Sequence, residues 1–467
     1  MEQIRYTLYI LLFLCFTSCG EDRTGEYYAL IEDRIWIEET MKEHYLWSEH
    51  MPLIEDEDDY FTQPSTFFKN LLYKKALDGK GDSYSYMEEI IVPEETESRA
   101  LYLNRTSTYG MDFELVRDPL KGTTHTMARI LYVLPGSPAE AAGIKRGDWL
   151  TTIGKKQITT DNYTALINGG AASFARDKIV INEEGKQVWQ AVDTVSIGSS
   201  ITMEISPFVK DTVYQINNQK IAYLVYNEFA TGPQNEGSET EYHQQMKQIF
   251  AQFKAQDPDA FILDLRYNPG GFLSCAQVLG SLLAPTHALG KDFIKMEFNQ
   301  TSDTIAINYA FAPEYADANL NLNKIYILTS QYPASASEAI INGLKPYMGD
   351  ENVILIGEQT EGKNVAMQSF KDKRFNFILW PVVAYVYNAN NEGNYSDGFK
   401  PQYELSERNY LGEWYPLGDE REFLLKNTLS LITTGTLPDL PIEQNQTEVQ
   451  SVCSSVRHTK INGLRIH

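Results

Sequence analysis

Three short stretches of this chain hold residue types that acyl transfer requires: a nucleophile, a base to take its proton, and donors aimed at a developing oxyanion. The first is Gln331-Tyr332-Pro333-Ala334-Ser335-Ala336-Ser337-Glu338-Ala339-Ile340, where Ser335 follows an apolar run, Ile325 to Thr329, and precedes a helical pattern. Ser335 is either a nucleophile or a helix cap, because Ser335 and Glu338 stand in the S-x-x-E spacing of a capping box. The second is Ile262-Leu263-Asp264-Leu265-Arg266-Tyr267-Asn268-Pro269-Gly270-Gly271, a buried strand that ends in a turn with two glycines before an apolar helix. Backbone N–H groups at such a helix start can form an oxyanion hole without side chains, although a turn that needs Gly only for its angles reads the same way. The third is Val353-Ile354-Leu355-Ile356-Gly357-Glu358-Gln359-Thr360-Glu361-Gly362-Lys363, an apolar strand, a turn and a lysine.

The base is the demanding member. The seven histidines avoid all three stretches, which argues against a Ser-His-Asp arrangement unless folding brings His243 or His287 close. Lys363 fits better, provided burial or a nearby positive charge lowers its pKa from about 10.4 to roughly 7–8, a cost of about 4 kcal/mol that a well-packed site can supply. As a solvated loop lysine beside Glu358 and Glu361 it would do no such work.

These stretches must be held by a larger frame. At 467 residues the chain is expected to form two or three domains. A formal net charge of −23 argues against nucleic acid and against an anionic membrane surface as main partner. Residues 1–19 hold an apolar run, Leu8 to Phe16, suited to a signal segment and too short to span a bilayer comfortably. Phe16-Thr17-Ser18-Cys19 resembles a bacterial lipoprotein box. It implies lipidation at Cys19, tethering to the membrane, and a cell-envelope location on the periplasmic side or the cell surface, with a plain signal peptide or anchor as the alternatives. Cys275 and Cys453 then remain, so neither a disulfide framework nor a metal spacing is present, and no cofactor is implied. Cys275 lies in an apolar helical stretch and reads as a small buried residue.

Residues 20–104 read as a small helical domain, with Trp36, Tyr45, Leu46, Trp47, Phe67, Phe68, Leu71 and Leu72 at helical spacing and a loop over about 78–98. Residues 105–208 change to short strands and turns. There Gly136-Ser137-Pro138-Ala139-Glu140-Ala141-Ala142-Gly143 and Arg146-Gly147-Asp148 resemble a PDZ domain, and Tyr109-Gly110-Met111-Asp112-Phe113 stands where such a domain receives a peptide carboxylate. Over 209–435 apolar strands alternate with helical segments, the pattern of an α/β core. A polar tail, 436–467, is expected to be loosely ordered.

Taken in order, "LDLRYNPGG", "ASASEAI" and "GEQTEGK" behind a PDZ-like stretch resemble the carboxy-terminal processing (tail-specific) peptidases, serine endopeptidases with a Ser-Lys dyad. The resemblance covers about residues 105–435. It implies a multidomain α/β fold with a ClpP/crotonase-like core. It also implies Ser335 as nucleophile, Lys363 as general base, and an oxyanion hole from the N–H groups of Ala336, Gly270 and Gly271. Protein or peptide substrates would be captured by their C-terminus on the PDZ domain. The alternative within the same fold is a catalytically idle peptide- or ligand-binding lipoprotein. Two features depart from the family pattern. Ser335 and Lys363 lie 28 positions apart, longer than usual, and the slot four after the lysine holds Met367. The family's supporting glutamine is then Gln368, if a local bulge turns it to Lys363.

Overall fold

The computed structural model describes residues 24–74, 81–90, 105–233, 240–299, 305–438, 448–456 and 463–466. The chain divides into two compact units, and Cys19 lies outside the described residues.

One unit takes residues 1–92 with 299–302 and 369–382. Its helices Thr24–His44 and Pro64–Leu71 bury Ile37, Met41, Phe67, Phe68 and Leu71, and Tyr45, just after the first helix, is buried too. The aromatic spacing read as helical therefore marks a packed face. The Tyr45 hydroxyl donates to Asp82 at 2.8 Å and accepts the Tyr73 N–H at 3.1 Å, which ties the connection after the second helix to the first. Where a loop was expected, Tyr86–Glu89 is a strand antiparallel to Phe377–Trp380. The partner lies far along the chain, so no local pattern announces the pairing.

Among the described residues the larger unit carries three large sheets and a two-stranded pair, Arg105–Thr108 with Ile201–Glu204. The first is a β domain in the order Ser451–Ser454, Met111–Arg117, Thr126–Val133, Trp149–Ile153, Ala172–Ile181, Gln187–Ile197. Phe113, Leu115, Ile130, Leu150, Leu166 and Phe174 lie in its core. The second sheet runs Phe208–Ile216, Gln219–Tyr226, Ala260–Asp264, Ile325–Thr329, Val353–Gly357, Tyr403–Glu404, parallel from its second strand onward. Its strands read as unbroken apolar runs because both faces are covered. On one face Leu424, Leu425 and Leu429 of the helix Phe423–Thr434 share a cluster with Ile221, Tyr223, Val225, Ile262, Leu328 and Ile356.

The third sheet runs Gly270–Phe272, Gly463–Ile466, Val365–Gln368, Val382–Asn388, Asp292–Phe298, Ala306–Ala310. Two pieces of the polar tail are thus paired strands, Ser451–Ser454 in the β domain and Gly463–Ile466 here. An extended backbone next to an open sheet edge gains ladder hydrogen bonds whatever its polarity, so composition alone misses them.

Candidate active site

Three neighbouring parallel strands place the three stretches together. Ala260–Asp264, Ile325–Thr329 and Val353–Gly357 lie side by side in register, and the loop after each carries Gly270, Ser335 or Lys363. Loops beyond the carboxyl ends of parallel strands are where open α/β sheets build their sites.

Close approach of the outer loop depends on Gly357, at φ +133°, where an added Cβ would sit 1.9 Å from the Thr329 carbonyl oxygen. The Thr329 hydroxyl donates to the Glu358 carbonyl at 2.8 Å, and the Glu361 N–H donates to the Pro333 carbonyl at 2.9 Å. The serine and lysine loops are in this way laced by backbone contacts.

Ser335 is the residue before the helix Ala336–Met348, with φ 60° and ψ −108°. A non-glycine residue there carries about 1–3 kcal/mol of strain, which sharp strand-to-helix turns use to present a nucleophile. Its side chain is 1 % exposed and its Oγ has no hydrogen-bond partner. Ser335 and Glu338 stand in the expected capping-box arrangement: Glu338 accepts the Ser335 N–H at 2.9 Å, while the Ser335 hydroxyl faces the helix start without making a hydrogen bond.

The same Glu338 carboxylate reaches the lysine loop. It accepts the Lys363 N–H at 2.8 Å, the Gly362 N–H at 2.7 Å and the Thr360 hydroxyl at 2.6 Å. One fully buried carboxylate therefore bridges the backbones of Ser335 and Lys363. Burial pushes this carboxyl up to about 7 against the downward pull of its four donors. The S-x-x-E pattern pointed to Glu338 only as a cap. Its second partner lies 25 positions on in the chain, beyond the reach of a local motif.

Lys363 is 3 % exposed, which removes the reading as a solvated loop lysine. Its Nζ donates to the Met367 Sδ at 3.6 Å. Gln368 does not take the supporting place expected for it. Ala366, Met367 and Gln368 pair in unbroken register with Leu464, Arg465 and Ile466, so Gln368 leaves the sheet on the face opposite Met367. Met367 is the side chain that meets the lysine.

Gly270, at φ +112°, sits against the serine. A Cβ there would lie 3.1 Å from the Ser335 Cβ and 3.3 Å from the Ala336 nitrogen. The Ala336 N–H is in the first helical turn and has no intrahelical acceptor. Of the two glycines, Gly270 gives its N–H to the Asn268 Oδ1 at 3.0 Å, which corrects its assignment as an oxyanion donor. The Gly270 carbonyl and the Phe272 N–H bond Phe229, so strand alternation turns the Gly271 N–H to the other side. Ala336 and Gly271 are the remaining candidates. Asn268 also joins the turn to the helix, since the Ser337 hydroxyl donates to its carbonyl at 2.9 Å.

Among the described residues, His243 and His287, the two that folding could have brought in, make their contacts elsewhere. His243 Nε2 lies 3.2 Å from the Cys275 Sγ, burial lowers its pKa, and the His287 ring neighbours Tyr347. Cys275 is fully buried and its thiol is pushed up by that burial.

Below the site lies a network that the sequence did not flag. The Arg266 guanidinium bonds Asp264 at 2.8 Å and Glu422 at 2.7 Å and pairs with Glu407. Arg146 of the β domain reaches Glu407 at 2.8 Å and the Tyr267 hydroxyl at 2.6 Å. Burial would raise Glu407, but Arg146 and Arg266 hold it down at about 2. The only sequence signal was two opposite charges, Asp264 and Arg266, at the end of an apolar strand.

In the β domain, Tyr109 is buried with its hydroxyl on the Gly170 carbonyl, and the Gly110 N–H donates to the Thr108 Oγ1 at 2.9 Å. Met111, Asp112 and Phe113 open the strand Met111–Arg117, and the Tyr132 hydroxyl donates to Asp112.

Comparison with known proteins agrees with this organisation. Residues 220–405 match the model of peptidase family S41, residues 34–86 the peptidase S41 N-terminal domain, and residues 129–173 a PDZ domain. A solved structure from Bacteroides fragilis NCTC 9343, assigned to the S41 proteases, is 31% identical with a TM-score of 0.73. That match covers 86% of this chain and 97% of the other. A carboxyl-terminal-processing protease of Picosynechococcus sp. is 25% identical over 245 residues, which is 52% of this chain and 52% of that protein. A CtpA-like serine protease of Staphylococcus aureus (strain bovine RF122) is 24% identical over 362 residues, 75% of this chain and 63% of that one. The chain thus spans between half and two thirds of the length of these two curated relatives. With nearly the whole Bacteroides fragilis structure covered at that identity, the chain belongs to peptidase family S41.

Proposed function

We propose that the protein is a serine endopeptidase of the C-terminal processing type, with Ser335 as nucleophile and Lys363 as general base. The observation that carries this reading is the Ser335 hydroxyl: buried, without a hydrogen-bond partner, on a strained turn, and packed against Gly270. A buried hydroxyl left unpaired costs about 1–3 kcal/mol, and a reaction that needs it supplies the reason to keep it.

Lys363 Nζ takes the proton as Ser335 Oγ bonds to the scissile carbonyl carbon. The oxyanion is received by the Ala336 and Gly271 N–H groups. The C–N bond then breaks and the leaving amine takes the proton from Lys363; water attacks the Ser335 ester with Lys363 again as base, the Oγ–C bond breaks, and Ser335 Oγ takes the proton back from Lys363 as the carboxyl product leaves. The PDZ domain would receive the C-terminus of an unfolded or partly degraded chain at Tyr109–Phe113. Residues 1–19 would export the protein and leave it lipid-anchored at Cys19 in the cell envelope.

The test uses protein starting after Cys19. Wild type, Ser335→Ala and Lys363→Ala are incubated with an unfolded protein bearing a free apolar C-terminus, and cleavage is followed by mass spectrometry. Cleavage by wild type alone is expected. Cleavage that survives Lys363→Ala would mean another base, and no cleavage with C-terminal peptides still bound would leave a binding protein. Growth with radiolabelled palmitate, comparing wild type with Cys19→Ser, tests the anchor: label lost with the cysteine is expected.

A further inference from the structure

Both places where a peptide would be read by this chain hold a piece of the chain itself. Ser451–Ser454 lies antiparallel on Met111–Arg117, at the edge where a PDZ domain accepts an extended peptide. The Arg117 N–H donates to the Gln450 carbonyl at 3.0 Å. Toward the carboxylate loop, the Ser455 Oγ accepts the Phe113 N–H at 2.8 Å and donates to the Asp112 Oδ1 at 2.6 Å. Val449 packs with Val116, Met127 and Trp149, and Val456 packs with Tyr132, Tyr267 and Tyr332.

The second piece lies in the active site. Gly463–Ile466 runs parallel to Gly270–Phe272 on one side and to Val365–Gln368 on the other, with Gly463 opposite Gly270, Leu464 opposite Gly271 and Arg465 opposite Met367. It is the strand that joins the oxyanion turn to the lysine strand, and the side to which Gly271 turns its N–H is the side on which this segment lies. A substrate whose carbonyl carbon is to meet Ser335, with its oxygen on Gly271 and Ala336, must present backbone in that same slot. Leu464, Arg465 and Ile466 are all buried, as the side chains of a peptide held in an enclosed slot would be.

We propose that the segments 448–456 and 463–466 are a built-in competing ligand for the two peptide sites, which an incoming substrate strand must displace before Ser335 can act. This rests on the reading of Ser335 and Lys363 as the peptidase site. The slot accordingly takes an extended peptide whose side chains are enclosed, of which the Gly463–Ile466 sequence is one example. A tethered segment competes at an effective concentration on the order of millimolar. If the free segment binds with a Kd of about 0.1 mM, tethering raises KM for a polypeptide about tenfold.

The experiment compares the full chain with its Leu464→Asp/Ile466→Asp double variant, and as a second form the chain ending at residue 447. In a Ser335→Ala background, binding of a fluorescein-labelled peptide copying residues 448–467 is measured by anisotropy. At least about tenfold tighter binding to either altered form than to the full chain is expected. With Ser335 intact, unfolded casein should show a KM lowered by about the same factor at unchanged kcat, restored by the free peptide as a competitive inhibitor. Equal peptide binding by all three forms would overturn the proposal. So would loss of peptide binding and of folded structure in both altered forms, because the segment would then be a fixed strand of the sheet. If the binding difference holds while no form cleaves casein, the peptidase reading fails and the occupancy stands.

Discussion

Replacing Glu338 by glutamine tests whether one carboxylate aligns Ser335 with Lys363. In the folded chain all four partners of that carboxylate are donors: the N–H groups of Ser335, Gly362 and Lys363 and the hydroxyl of Thr360. Glutamine keeps the shape but turns one oxygen into an NH2. If the amide oxygen stays on Ser335 and Lys363, the NH2 faces Thr360, whose hydroxyl can rotate to accept, and Gly362, whose N–H cannot. One buried N–H then lacks a partner, at about 1–3 kcal/mol, and the other bonds lose the roughly twofold strength that ionic charge adds. A total of about 2–4 kcal/mol results. Were it all expressed as lost population of the aligned loops, turnover would fall about 30- to 1,000-fold at 1.36 kcal/mol per decade. The assay is casein cleavage with kcat and KM resolved, beside a thermal melt. The expected pattern is a kcat loss with KM little changed and a melt lowered only modestly. A Glu338→Gln enzyme within about threefold of wild type in kcat and unchanged in melt would refute the bridging role, because the same bonds cannot be both absent and immaterial.

Three further outcomes are expected. The Glu338 carboxyl lies at about 7 in the folded state against an ordinary value of 4.5, so between those values the folded chain holds a proton that the unfolded chain has released. Its contribution is complete below about pH 4.5 and is lost as pH rises through about 7, amounting to about 3 kcal/mol. The stability difference between wild type and Glu338→Gln, from urea melts at pH 5 and pH 8, should shift by about that amount in favour of the variant at pH 8, and a constant difference would contradict it. Gly270→Ala would place a methyl 3.0 Å from the Ala334 carbonyl oxygen and 3.1 Å from the Ser335 Cβ at φ +112°. A displacement of the nucleophile by a fraction of an ångström to one ångström should lower kcat about a hundredfold, and a variant with wild-type turnover would show that this contact does not position Ser335. Arg266→Met leaves Asp264, Glu407 and Glu422 with only Arg146 of the pair of arginines that the buried network holds. Breaking a buried network of this kind costs about 3–5 kcal/mol, to be seen as insoluble expression or a strongly lowered melt, and an unchanged melt would mean that the carboxylates are compensated elsewhere.

What could be read from the sequence was whatever each local stretch determines by itself. Ser335, Gly270 and Lys363 follow apolar parallel strands, and a strand that ends at a loop of Gly and small polar residues announces both its burial and its functional end. What escaped reading depends on partners far apart in the chain. Gly463–Ile466 has no periodicity within a polar tail and is a strand only because Gly270–Phe272 and Val365–Gln368 leave a slot of one strand's width. The supporting role expected of Gln368 required a bulge, and the unbroken register with Gly463–Ile466 sets Met367 beside Lys363 instead. Even the cap reading of Ser335 was half informative for a physical reason. A serine whose hydroxyl caps its own helix has spent its lone pairs on the backbone and cannot present them to a carbonyl. Here the hydroxyl stands in the cap arrangement without making a hydrogen bond, the N–H goes to Glu338, and the hydrogen bond at the helix start is made through the carboxylate. That division accounts for a glutamate that is fully buried and shared with the lysine loop: the group that takes the Ser335 N–H also fixes the backbone of Lys363.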